Sequence, residues 1–214
     1  MIVKPVTAVE REQMRRFYLS LAGDDRRMRF CSTASDGVVN GYVDRLDFTG
    51  RTILAAYGEE AEIIGLGELA PVGDKGELAF AVRADMRRQG VGTWLMRRLL
   101  ARARMRGLRE AFVMFLWENT PMRRLALRAE MSIACERAES FGSRRLEPAT
   151  AAELTRWCLE DMVSHGEHFA TLMITQYGSL MSESVNASGL PLEALTNAAV
   201  MAMARNRSRV EERL

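Results

Sequence analysis

A mixed α/β domain is what the first 147 residues predict: a mostly antiparallel sheet flanked by helices, with a helical appendage behind it. Three observations lead there. Apolar, β-branched runs bounded by turn residues share the chain with amphipathic stretches. The second half of that stretch runs strand, helix, strand, helix, which calls for a sheet with helices packed on it. From "PATAAEL" onward the pattern is helical only. The chain thus divides into an α/β domain over 1–147 and a helical extension over 148–214.

Each element has its own signal. "IVKPV" is a short first strand, and Val9 to about Ala22 an amphipathic helix. "GDDRRMRFCSTASDG" is expected as a polar connection, followed by a second helix in "VVNGYVDRLDF". "RTILAAYG" and "EIIGLGELA" form an antiparallel hairpin turning at Gly58, Glu59 and Glu60, and "GELAFAVRA" is a further strand. A helix then runs to about Gly107. The strand "EAFVMFLWE", a helix from Thr120 to Glu130 and short strands around "SIACERAES" close the domain. In the extension, Thr150 and Glu153 have the spacing of a capping box, and Pro191 opens the last helix.

Composition narrows the function. The 214 residues, 48% of them hydrophobic, suffice for a sizeable core. Cys31, Cys135 and Cys158 are odd in number and widely spaced, which argues against a disulfide framework and against a zinc site. A net charge of +2 predicts no strong field for nucleic acid. With no long apolar run and no apolar leader at the N-terminus, a cytoplasmic protein without a membrane partner is expected.

The stretch "RRQGVGTWLMRRLLARAR", from Arg87, carries the chemistry. The first amides of a helix lack intrahelical partners and sit at the positive end of its dipole, so they receive anions. Glycines there let a phosphate approach the backbone. A P-loop needs a lysine after its last glycine, and a dinucleotide fingerprint needs a third glycine where this chain has Leu95; both are excluded. Arg87-Arg88-Gln89-Gly90-Val91-Gly92 does match [RQ]-x-x-G-x-[GA], behind a strand containing "FAV". "LWENTPMRRLALRAEM" supplies a second match, N-x-x-[AM]-x-x-L-x-x-[KR]-x-G-[FM], through Asn119, Met122, Leu125, Arg128 and Met131. With both motifs in order over about Gly76 to Met131, the chain resembles the GNAT superfamily of acyl-CoA-dependent N-acetyltransferases.

The resemblance implies acetyl-CoA as acyl donor and a primary amine as acceptor, joined by direct attack in a ternary complex. It implies pantetheine pairing with the backbone of Phe80, Ala81 and Val82. Arg87 and Arg88 would add charge beside the pyrophosphate, held by the amides of Gln89, Gly90, Val91, Gly92 and Thr93, with Asn119 near the thiol end. Amine acylation needs a base for the ammonium and a donor for the developing oxyanion. Glu77 is the leading candidate base and Glu118 the second. The tyrosine that many relatives place after the motif's leucine, to protonate the thiolate, is Ala126 here, and the motif's glycine is Glu130. Those departures leave an alternative: a catalytically weak acyl-CoA-binding sensor or partner-binding subunit.

Other features read as structure. Arg97, Arg98, Arg102, Arg104, Arg106 and Arg109 surround a stripe of Val91, Leu95, Leu99 and Ala103, so they are solvated faces of a helix rather than a nucleic-acid surface. His165 and His168, a turn apart with Asp161 before them, lack a third strong ligand, and no metal is expected. Met162, Met173, Met181, Met201 and Met203 make the extension a candidate homodimer surface. Asp24 and Asp25 border the region where the resemblance puts the acceptor. The acceptor's identity is not written in these residues.

Overall fold

A computed structural model describes residues 2–136, 138–150 and 153. The rest of the 148–214 extension, with its expected helices, its methionines and the pair His165 and His168, lies outside the described residues. Seven strands form one sheet: β1 (Ile2–Pro5), β2 (Thr52–Tyr57), β3 (Ile63–Val72), β4 (Lys75–Val82), β5 (Glu110–Leu116), β6 (Ser132–Glu136) and β7 (Glu139–Arg145). Their spatial order is β1-β2-β3-β4-β5-β7-β6, and every neighbouring pair is antiparallel except β4 with β5. The exception follows from connectivity. A helix, α4 (Val91–Met105), crosses over between those two strands and returns the chain to run parallel.

Helices cover both faces. α1 (Arg11–Ser20) and α3 (Asp36–Asp44) bury Met14, Phe17, Tyr18, Val39 and Val43 against Ile53, Ala55, Tyr57 and Leu66. α4 and α5 (Thr120–Arg128) pack on the opposite face against Leu54, Leu69, Leu78, Val113 and Phe115. Side chains alternate along a strand, so β2 and β3 must be apolar on both sides, which is why they read as unbroken apolar runs. Val91, Leu95, Leu99 and Ala103 are the buried stripe of α4. Among the described residues no helix is long and apolar enough to cross a membrane.

One element departs from expectation. The polar connection contains a helix, α2 (Gly23–Phe30), none of whose residues is fully buried. Without an apolar stripe it leaves no periodic signal. Charge placement favours it instead: Asp24 and Asp25 occupy the first turn, Arg27 and Arg29 the last, each complementing the helix dipole. Arg29 fastens it to the sheet. Its Nη2 lies 2.6 Å from Oε1 of Glu68 on β3, and both side chains are under 10% exposed, at 8% and 3%. The hydroxyls of Tyr18 and Tyr42 also donate to Glu68. Burial alone would push the Glu68 carboxyl up; the Arg29 charge and these hydrogen bonds outweigh it and hold the group below its ordinary 4.5.

The capping box forms as the spacing predicts. Thr150 donates through its backbone N and Oγ1 to Glu153, each at 2.9 Å, and Glu153 N donates back to Thr150 Oγ1 at 3.3 Å. Arg104 of α4 adds a two-pronged contact to the same carboxylate, at 2.7 and 2.8 Å. Those bonds hold the Glu153 carboxyl down at about 2.

Two stability outcomes follow. A Cβ at Gly67 would lie 2.9 Å from Leu99 Cδ1 and 3.3 Å from Leu95 Cβ, so β3 and α4 meet across a bare backbone. Gly67→Val should cost about 2–3 kcal/mol in urea unfolding, as overpacked cores do. Glu68→Gln, which leaves Arg29 buried without a counter-charge, should cost about 3 kcal/mol at neutral pH. Since the folded Glu68 value lies below the unfolded one, its stabilisation is full above about pH 4.5 and is lost as pH falls through the folded value. Acid should therefore destabilise the wild type more than Glu68→Gln, and urea midpoints at about pH 6 and about pH 3 measure the difference.

Candidate active site

The parallel pair separates partway along. β4 and β5 pair in register from Lys75 with Glu110 to Leu78 with Val113, and no further. Beyond that point β3 keeps its hold on Ala79, Phe80, Ala81 and Val82, while β7 keeps Met114, Phe115 and Leu116. The two strands thus open into a wedge whose facing edges carry backbone N–H and C=O groups without each other as partners. Phe80 and Val82 turn their backbone groups to this open edge of β4, whereas those of Ala81, expected there too, face Leu66 of β3, because alternate residues of an antiparallel ladder bond the same neighbour. The Phe80 and Val82 side chains pack toward α4, and Ala81 packs toward α1 and α3.

At the C-terminal end of β4 the chain makes a 3-10 turn over Ala84–Met86 and enters the loop before α4. Arg87, Arg88, Gln89 and Gly90 are exposed. Arg88 has φ 62° and Gly90 φ 86°, both left-handed; the glycine adopts this at little cost, the arginine does not. Gly90 is the N-cap of α4 and has no side chain to cap it. The first helical bond is Trp94 N to Gly90 O at 3.0 Å, so the amides of Val91, Gly92 and Thr93 precede the ladder. Gln89 braces the loop by donating to Asp85 O at 3.0 Å. Arg87 donates from Nε to Val82 O at 3.2 Å, and its Nη2 meets Asp25 of α2 at 2.6 Å.

α2 lies across both strands of the wedge. Asp25 holds it to Arg87 on the β4 side, and Arg27 holds it to Glu118 just past β5. Glu118, the second candidate base, is therefore engaged by a guanidinium, and Asp25 belongs to an ion pair rather than to a solvated turn. At the end of α2, Cys31 (φ 53°) has its Sγ 3.9 Å from Met114 O, on the open edge of β5. Burial pushes the Cys31 thiol up, and the nearby Glu139 and Glu77 carboxylates push the same way. Sequence reasoning missed α2, and with it the contacts of Arg27, Arg29 and Cys31.

Glu77 sits on β4 opposite Phe112 of β5 and Ala70 of β3, two residues before the strands part. It is half-buried on the sheet face that carries α2, since its neighbour Leu78 points to α4. Asn119 is the N-cap of α5, its Oδ1 accepting from Met122 N at 3.1 Å. Ala126 is fully buried, and Glu130 takes φ 57°, a left-handed value that explains why the motif has glycine there. Its carboxylate is 3.1 Å from Arg144 Nη2. Among the described residues no group of three or more His, Cys, Asp or Glu side chains could hold a metal ion.

Comparison with known proteins shows the family and the fold. A model of the acetyltransferase (GNAT) family matches residues 7–130. Among solved structures, the GNAT domain of S. lividans PAT superposes with a TM-score of 0.59 at 24% identity, covering 67% of this chain and 89% of that one. The ribosomal-protein-alanine N-acetyltransferase from Brucella melitensis gives 0.55 at 14% identity, covering 68% and 100%. A phosphinothricin acetyltransferase from Sinorhizobium meliloti, solved in complex with AcCoA, gives 0.52 at 14% identity, covering 70% and 93%. No curated protein matches the sequence significantly. With its sheet, its wedge and its glycine loop accounted for, the chain belongs to the acetyltransferase (GNAT) family, whose general chemistry is acyl-CoA-dependent acetyl transfer.

Proposed function

We propose that the protein is an N-acetyltransferase that takes an acetyl group from acetyl-CoA and gives it to a primary amine within a ternary complex. The observation that supports this most is the open wedge of β4 and β5 with the uncapped start of α4 at its mouth. An extended arm ending in a pyrophosphate fits both parts. The amides of Gln89, Gly90, Val91, Gly92 and Thr93 would receive the pyrophosphate, with Arg87 and Arg88 adding charge. Backbone groups of Phe80 and Val82 would pair with the arm, and Asn119 would border its thiol end.

Acetyl-CoA supplies an acyl group activated as a thioester. Glu77, on the acceptor side of the sheet and next to the opening, accepts the proton that the ammonium must lose, directly or through water. The freed nitrogen forms its bond to the acyl carbon as the carbon–sulfur bond breaks; it then gives its second proton to solvent, and the departing thiolate takes one from solvent. Backbone N–H groups at the edge of β4 orient the acyl oxygen. Glu118 is the lesser candidate because Arg27 holds it. A free Cys31 suits a reducing compartment, and we place the activity in the cytoplasm. The buried Ala126 favours the second reading, an acyl-CoA-binding sensor that turns over weakly or not at all.

Two variants test this. Gly90→Glu would confound charge with backbone strain, because Gly90 is left-handed. Gly92 is not, and a Cβ there meets only Leu125 at 3.5 Å and Val82 at 4.0 Å. Titration calorimetry should show the wild type binding acetyl-CoA at micromolar Kd, about −8 kcal/mol, and Gly92→Glu folding normally with binding at least tenfold weaker. Equal binding by both would remove the loop from the site. Glu77→Gln should lower kcat by about 10²- to 10⁴-fold at unchanged acetyl-CoA affinity. Binding without turnover in the wild type would favour the sensor instead.

A further inference from the structure

The sheet face beside the wedge carries an apolar floor. Ala111, Val113 and Phe115 point to α4 and α5, so alternation sends Phe112 and Met114 to the face where α2 lies. Register puts Phe141 of β7 directly opposite Met114, on that same face. The Phe112 and Phe141 rings stack at 5.2 Å with their planes 25° apart. Met114 is 47% and Phe141 39% exposed, although neither lies on an edge strand. α2 reaches β4 and β5 but leaves these side chains open.

The floor continues the site. Glu77 is the register neighbour of Phe112 across the parallel pair, and Met114 contributes its carbonyl to the open edge of β5. Glu139 pairs with Leu116 on β7, which puts it on this same face. Its carboxylate and that of Glu77 both act on the Cys31 thiol beside Met114. The register thus sets Glu77, the proposed base, beside Phe112 at one end and Glu139 beside Leu116 at the other, with the apolar platform between them and the nearby Arg29 charge already paired with Glu68. An ammonium suits the Glu77 end and an aromatic ring the platform next to it. A polyamine or a lysine side chain brings charge and a thin methylene stem to the rings and covers less of their apolar surface than a ring does.

We propose that the acceptor is a small arylalkylamine, its ring resting on Phe112, Met114 and Phe141 and its amine directed to Glu77. This rests on the acetyl-transfer reading and names its substrate class. The ring's burial against the two phenylalanines and the methionine sets specificity, and Glu77 holds the amine near the wedge.

The test is an acceptor comparison with the full-length protein and acetyl-CoA, following thiol release with phenethylamine, spermidine and a lysine peptide. Phenethylamine should have the highest kcat/KM by about tenfold or more, the scale on which apolar pockets discriminate. Met114→Gln, which keeps length and removes apolar character, and Phe141→Leu, which keeps the strand apolar but removes the ring, should each raise the phenethylamine KM several-fold. Acetyl-CoA affinity by calorimetry should stay as in the wild type, and so should any residual spermidine rate. A preference for spermidine or the peptide, no phenethylamine turnover, or equal losses on all three acceptors overturns the proposal while acetyl-CoA still binds. A wild type that does not bind acetyl-CoA sinks the acetyl-transfer reading, and this one with it.

Discussion

The site depends on where the parallel pairing of β4 and β5 stops. β4 is zipped along its whole length to β3, and β5 to β7, so each strand belongs to an antiparallel block with its own twist. The parallel register between the blocks holds for four residue pairs and then yields. Backbone groups past Leu78 and Val113 are left facing one another across a gap too wide for a ladder bond. Such groups are costly unless water or a ligand satisfies them. The opening is therefore made by topology, before any side chain is considered.

What stands at the mouth of that opening is also backbone. Gly90 turns the chain in a left-handed conformation that presents three unladdered amides, and α4 is held against β3 by Val91, Leu95 and Leu99 over the bare Gly65 and Gly67. The close approach fixes the helix start relative to the strand that precedes it. On the other face, α2 is secured beneath by Arg29 and Glu68 and at its flanks by Asp25 and Arg27. At Glu68 the Arg29 charge and the tyrosine hydrogen bonds outweigh the cost of burial, so the cluster fixes the position of a helix with no apolar stripe of its own.

Legibility in the sequence follows the physical origin of each part. Elements that bury a face declare themselves: β2 and β3 by unbroken apolar runs, α4 by its four-residue stripe, the loop by glycines whose positions the backbone requires. α2 was unreadable because its stability comes from charges at its ends and one buried ion pair, neither of which is periodic. The wedge could be anticipated only through the family resemblance, since nothing local in "GELAFAV" says which of its residues lose their neighbour. The floor of Phe112, Met114 and Phe141 was hidden for a related reason. Its members sit on different strands, and only the β5–β7 register brings them to one face.

The absent tyrosine has a structural cause in the packing of α5. Ala126 is fully buried, and a Cβ placed on Gly142 of β7 would come within 3.5 Å of the Ala126 Cβ and 3.2 Å of Val113 Cγ1. Two small residues facing each other let the helix sit close upon β5 and β7. A phenol at 126 would have to push α5 away from the sheet or turn out of the core, at the cost of several kilocalories by the usual scale of overpacking. Glu130 marks the same region: a non-glycine residue held left-handed at the end of α5, tied to Arg144 rather than relaxed by glycine. The departures at 126 and 130 thus belong to one local solution for docking α5, and they bear on proton delivery to the leaving thiol without touching the wedge or the loop. The wedge and the glycine loop are built from other elements, so docking α5 in this way leaves both as they are.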